Sequence, residues 1–404
     1  MSTTTINAPS STEKSMATLR NSAIDTYRGL VMFLMMAEVL ELARVAKSYP
    51  GNIFWSIAAF NQSHVEWVGM SLHDMIQPSF SFLVGVALPY SIASRMRRGQ
   101  TFGMLLRHTI IRSLILIALG VFLRSTHSTQ TYFTFEDTLS QIGFGFTFLF
   151  LIYFAAPRAQ WIILGSILFA YWLAWALFPA PGAGFDWKSV GVPDNWPHHL
   201  SGFAAHWDKN SNFGNWVDQW FLNLFPRIKP FVANDGGYLT SSFVPTLGTM
   251  ILGLIAGRWI KTSAPLIPFR KLIMTGITCI VIATALHYAG ICPIVKKVWT
   301  PSWVLFSGGF CFLALAGFSW LIDVKQNAKL AFPLIVIGRN SITAYVLADL
   351  CGEFFRQSLY IHLGHRPFQI LGTPLEPLLE GITLLTLYWL VLFWMYRRNI
   401  FLRI

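Results

Sequence analysis

Apolar residues in this chain neither alternate nor recur on one helical face; they run on. Stretches such as "FSFLVGVALPYSI" and "VLFSGGFCFLALAGFSWL" belong to runs of about 18–22 residues, the length that carries a helix across a bilayer core, and turn and charge signals divide one run from the next. The pattern predicts ten spans, at approximately 26–46, 71–93, 105–124, 139–156, 160–178, 242–260, 271–290, 302–322, 331–350 and 376–396. The fold class expected is an all-α polytopic membrane protein. Its domains are a polar tail over 1–20 and one transmembrane domain over 21–404, with no soluble domain and no internal repeat.

Composition agrees. Of 404 residues, 54% are apolar and 12% charged, with a mean hydropathy of +0.51. Soluble domains carry roughly twice that share of charge, about 25%. The net charge of +12 would suit nucleic acid in a soluble protein. In a membrane protein, excess Lys and Arg set topology and meet anionic lipid, so lipid is the expected partner and nucleic acid is not. More than half of the 30 Lys and Arg fall on the side of the N-terminus. Both termini are therefore expected in the cytoplasm and the 179–241 segment outside. The opening "MSTTTINAPSSTEKSMATLR" lacks an apolar core, so it reads as a disordered tail rather than a cleaved signal. The four cysteines, Cys279, Cys292, Cys311 and Cys351, stand singly within or beside apolar runs and predict inert buried thiols and no metal site.

The 179–241 segment carries Trp187, Trp196, Trp207, Trp216 and Trp220. Disordered segments are poor in aromatics, so a compact cap with one amphipathic piece near 213–224 is expected. An interfacial aromatic belt and a sugar-stacking lid are equally good readings of its tryptophans.

Ionisable residues within spans are costly and mark functional sites by default. On the expected topology they fall into two groups. The outer group is His64, Glu66, His73 and Asp74 at the start of the second span, with Glu38 and Glu41 toward the outer end of the first. The inner group is Asp25 and Arg28, spaced for an ion pair on one helix face, with Arg339 and Asn340 interrupting the ninth span after Gly338. His64 has the chemistry of a general base or nucleophile if something orients its ring. A solvated loop histidine, a capped first span with a snorkelling arginine, and interhelical hydrogen bonds around Asn340 are the plainer readings of the same residues.

Two blocks resemble a known family. Ser22, Asp25, Arg28 and Gly29, then His64, Trp67, Gly69, Asp74, Pro78, Phe80, Phe82 and Gly85, are similar to motifs of the heparan-α-glucosaminide N-acetyltransferase group of membrane acetyltransferases. Weaker echoes occur in "TLSQIGFGFTFLFLIYF", "FVPTLGTMILGLIAGRWI" and "IGRNSITAYV", and the likeness covers most of the chain outside 179–241. The chain departs from the pattern at Glu38, His73, Gln77 and Ile142. The resemblance implies transfer of acetyl from cytosolic acetyl-CoA to an amine or hydroxyl of a sugar or glycan on the far side of the membrane. It implies His64 as the site histidine, and Asp74 would orient its ring. Trp67, Glu38, His73 and Asn340 would meet the acceptor, and Arg28, Arg339 and Asp25 the acetyl-CoA. A bacterial inner membrane and a homodimer are the corresponding expectations of place and assembly. A transporter for a small sugar or anion is the competing class, since broken spans with polar residues at mid-depth suit it too.

Overall fold

The computed structural model describes residues 11–264 and 266–402, so the expected tail over 1–20 lies outside the described residues as far as residue 10. Among the described residues there are fourteen α-helices and no strand beyond an isolated antiparallel bridge between Val68 and Val295. In chain order they are α1 (Ser11–Met36), α2 (Leu42–Ser48), α3 (Ile53–Gln62), α4 (Ile76–Arg97), α5 (Phe102–Ser125), α6 (Thr138–Tyr153) and α7 (Pro157–Leu177). There follow α8 (Phe213–Leu222), α9 (Phe243–Thr262), α10 (Phe269–Tyr288), α11 (Pro301–Ser319), α12 (Phe332–Arg339), α13 (Ser341–Leu363) and α14 (Glu376–Arg397). Seven helical segments are long and apolar enough to cross a membrane, or eight if α12 and α13, bent by 80° at Asn340, count as one span. Of the two remaining expected spans, 26–46 overlaps α1 only as far as Met36, α1 itself starting at Ser11 within the segment expected to be a tail, and 139–156 matches α6, a shorter apolar helix.

Burial ranks the helices. The apolar stretch containing α9 is 78% buried, whereas those of α5, α7 and α10 are 22–28% buried, so α9 is the axis and the others present apolar side chains outward, as lipid requires. Small residues let α4 reach that axis. A methyl added to Gly253 would stand 1.9 Å from the Phe82 carbonyl oxygen, and one added to Gly85 2.0 Å from that of Met250. Close backbone approach through small residues is the usual basis of helix association in membranes.

Two expected spans are broken. The run over 26–46 ends at Met36, passes through a 3₁₀ turn over Ala37–Leu40, and reverses at Glu41, whose φ of 46° is left-handed. The Glu41 carboxylate takes up Arg44 at 3.2 Å and Arg356 at 2.9 Å, and these ion pairs hold the turn. The run over 331–350 breaks at Asn340, a buried side chain that donates to the Ile400 carbonyl at 3.0 Å.

The 179–241 segment folds over one end of the bundle. Its helix α8 falls on the segment expected to be amphipathic, and its cap is Asn212, whose side chain accepts from Asn215 N–H. Neither reading of the tryptophans covers all five. Trp207 is fully buried beside Trp67 and Trp175, in a core that the cap shares with α7, while Trp216 and Trp220 are exposed.

Candidate active site

His64 sits in the loop between α3 and α4, and Asp74 lies in the 3₁₀ turn, His73–Met75, that leads into α4. Pro78 follows in the first turn of α4, where a missing N–H costs no hydrogen bond. The Asp74 carboxylate is buried and fully engaged. Its Oδ2 accepts from Val65 N–H (3.2 Å), Ser71 N–H (3.0 Å) and the Ser71 hydroxyl (3.0 Å), and its Oδ1 stands 2.7 Å from His64 Nδ1. That short contact to a carboxylate assigns the proton to Nδ1 and leaves a lone pair on Nε2. The His64 side chain is 38% exposed, so its ring is reachable while its orienting partner is not.

A third charged group is present that the sequence reading did not select. Lys296, in the loop between α10 and α11, places Nζ 3.3 Å from Asp74 Oδ1 and 3.0 Å from His64 Nδ1, with its side chain only 5% exposed. The available signal was the pair Lys296–Lys297 on the side that topology leaves poor in cations. Burial lowers the ammonium pKa to about 8, partly offset by Asp74. The His64 imidazole is also held below its ordinary value, first by desolvation and further by Lys296, against the opposing pull of Asp74. A neutral imidazole, its Nε2 lone pair 3.5 Å from the Lys296 ammonium, is thus the form favoured at neutral pH. His73 packs on His64 with ring centroids 4.5 Å apart and pairs through Nε2 with Glu38 at 2.9 Å. Tyr238, from the cap, closes the other approach at 6.4 Å from the His64 ring.

These groups open on a cavity of about 490 Å³ whose wall also carries Arg124, Glu136, Asp137, Tyr345 and Asp349. A second cavity, of about 740 Å³, lies toward the opposite ends of α1 and α4. Its wall holds five arginines, Arg28, Arg95, Arg98, Arg112 and Arg339, against one carboxylate, Asp25. Asp25 stands between two of them, 3.4 Å from Arg28 and 3.6 Å from Arg339. The two cavities follow the same helices. Successive turns of α5 contribute Arg112 and Leu116 to one and Gly120 and Arg124 to the other, and α13 contributes Ile342 to one and Tyr345 to the other. Phe80 of α4 lines both.

The residues selected from sequence therefore separate. His64, Asp74, His73 and Glu38 converge at the capped end, and Asp25, Arg28 and Arg339 converge in the arginine-lined cavity. Trp67 and Asn340, expected to meet the acceptor, are placed elsewhere. Trp67 is 1% exposed and donates to the Trp207 carbonyl at 3.1 Å, tying the loop to the cap, and Asn340 is buried at the bend between α12 and α13. Gly120 and Gly338 line cavities, Gly338 also packing closely on Asp25, while Gly85, Gly253 and Gly308 serve close packing. Among the described residues no group of three or more His, Cys, Asp or Glu could hold a metal ion.

The apolar helices and the capped bundle define a multi-pass membrane protein. The chain is similar over nearly its whole length to heparan-alpha-glucosaminide N-acetyltransferases. It is 23% identical over 443 residues to the protein of that name from Mus musculus, covering 98% of this chain and 63% of the relative. To the Homo sapiens protein it is 22% identical over 427 residues, covering 95% of this chain and 60% of the relative. The chain thus spans about three fifths of the length of the curated relatives it matches. No family model matches it.

Proposed function

We propose that the chain is a membrane-embedded acetyltransferase that draws acetyl from acetyl-CoA and delivers it to an amino or hydroxyl group of a sugar. One observation supports this reading: a histidine oriented by a buried carboxylate and an arginine-lined cavity belong to two neighbouring cavities that share Phe80 as a lining residue. The five guanidinium groups are suited to the phosphates of acetyl-CoA, which guanidinium binds through paired hydrogen bonds. The thin pantetheine arm would follow the path past Phe80 and bring the thioester to His64. The excess of Lys and Arg at the arginine end supports its placement on the cytoplasmic side, with the acceptor arriving at the capped end.

His64 serves either of two routes through the same Nε2. As a general base it takes the acceptor's proton while the acceptor's nitrogen or oxygen attacks the thioester carbonyl, and CoA leaves as thiolate. As a nucleophile it first accepts the acetyl group, releases CoA, and passes the group to the acceptor. Asp74 holds the ring in the required tautomer on both routes.

The test is direct. Protein purified in detergent is given acetyl-CoA with labelled acetyl and a panel of amino sugars, and acetylated sugar and free CoA are measured together. Stoichiometric formation of both is expected. Folded protein that moves intact sugar across a liposome membrane but transfers no acetyl would replace the enzyme with the transporter. Labelled acetyl retained on His64 after rapid quenching separates the two routes.

A further inference from the structure

We propose that Lys296 is a positioning residue for His64, fixing the Asp74 carboxylate and keeping the imidazole neutral so that Nε2 remains available. The inference deepens the acetyltransferase reading and rests on it for the purpose of the device, though the device itself is tested without catalysis.

The geometry leaves Lys296 little other use. Asp74 Oδ2 is taken by Val65 and Ser71, so Oδ1 is what remains for the ring, and Lys296 shares that atom with His64. Because His64 Nδ1 already donates to Asp74, it has no lone pair for the lysine 3.0 Å away. Lys296 Nζ also stands 3.5 Å from Nε2, so the cation lies along the ring rather than at one nitrogen. A positive charge so close opposes a second proton on the imidazole. With His64 neutral, Asp74 and Lys296 cancel. Protonating the ring would leave a net positive charge in a site where both of those partners are buried.

The loop is built to hold this lysine. Val295 bridges to Val68, and Gly69 N–H donates to the Ile294 carbonyl at 3.1 Å, so the lysine loop and the histidine loop are stitched together one residue away. On the far side, Trp299 N–H donates to the Lys296 carbonyl at 2.8 Å, and the Thr300 hydroxyl accepts from Val295 N–H at 3.1 Å. Around the pair, the charged and titratable groups are His73 and Glu38 from the end of α1 and the start of α4, Glu66 and Lys297 from the two loops, and Tyr238 from the cap. Arg124, Glu136, Asp137, Tyr345 and Asp349 face the same cavity from α5, α6 and α13. None of them hydrogen-bonds or ion-pairs with His64, so Lys296 is the cation in direct contact with the ring, adding to the effect of burial.

Diethyl pyrocarbonate acylates neutral imidazole, and the modification of His64 can be followed by peptide mass spectrometry across pH in wild type, Lys296→Met, Lys296→Gln and Lys296→Arg. In wild type the midpoint should lie below the usual imidazole value of about 6.5. In Lys296→Met and Lys296→Gln the ring is left with Asp74 alone, and the midpoint should rise by about one pH unit or more, so that modification at pH 6 slows about threefold or more. Lys296→Arg keeps the charge and should stay within about threefold of wild type. Equal midpoints in wild type and in both neutral variants would overturn the proposal, as would failure of wild-type His64 to react at any pH. Both neutral variants failing to fold while Lys296→Arg behaves as wild type would instead make the lysine an anchor of the loop and overturn it equally. A shifted midpoint in a protein that transfers no acetyl would leave this inference standing and remove the catalytic reading.

Discussion

His64→Ala should abolish acetyl transfer with little effect on folding, because the ring is partly exposed and what it supplies is an oriented lone pair. General-base catalysis is worth about 10²–10⁴-fold, and a covalent role more. Steady-state rates within about threefold of wild type would remove His64 from the mechanism. The pH profile has a definite sign. His64 is held below its ordinary value, so the acid limb should fall below about pH 6.5, where the ring gains its proton. Burial lowers Lys296 to about 8, and since the imidazole is neutral above that pH whether or not the lysine is charged, any alkaline limb should be shallow and reflect only the loss of the cation that helps to fix Asp74. At the other end of the path, Arg28→Gln should weaken acetyl-CoA binding by about 1.5–3 kcal/mol, the range for a hydrogen bond to a charged group. Unchanged affinity by calorimetry would reduce Arg28 to the structural partner of Asp25. The pair Asp25–Arg28 was legible in the sequence from its local spacing, and His64–Asp74 from the motif resemblance. Lys296 was not, because 232 positions separate it from His64 and only the folded loops join them.

Among the elements, α1 and α12 come close enough that side chains are excluded from the contact. A methyl on Gly338 would lie 1.9 Å from the Asp25 carbonyl oxygen, and one on Gly29 1.8 Å from that of Leu334. Gly338→Ala should therefore force the two helices apart and move Arg339 away from Asp25. Overpacking of this kind costs about 1–3 kcal/mol, and it should appear as a lower unfolding temperature in detergent together with weaker acetyl-CoA binding. Loss of stability with donor affinity intact would show that the arginine-lined cavity does not depend on this contact. The long apolar runs made the helices themselves legible, with ends close to those found except in the first span, which is shifted to Ser11–Met36, and the ninth, which runs on to Leu363. The breaks were harder. A left-handed Glu41 interrupts no hydrophobic period, and it is held by Arg356 from far along the chain, so its turn is invisible locally. Gly338, Arg339 and Asn340 did announce an interruption, although nothing in their spacing specifies an 80° bend.

For the whole molecule, sidedness is the property to test first. Ser201→Cys in the cap should react with an impermeant thiol reagent on intact cells, and Lys329→Cys, beyond the opposite end of the bundle, should react only after lysis. The reverse pattern would invert the donor side. The two cavities carry a further consequence. Phe80 is 8% exposed and is the lining residue that the two cavities share. If both cavities hold water, the permeability barrier between them would be set by the side chains around Phe80 rather than by the full apolar thickness of the membrane. Trimming that ring should open a leak. Phe80→Ala in proteoliposomes should pass small anions in preference to cations, since the arginines make the mouth positive, and wild type should hold a chloride gradient. An ion-tight Phe80→Ala protein would mean that the helices around the ring seal the membrane without it.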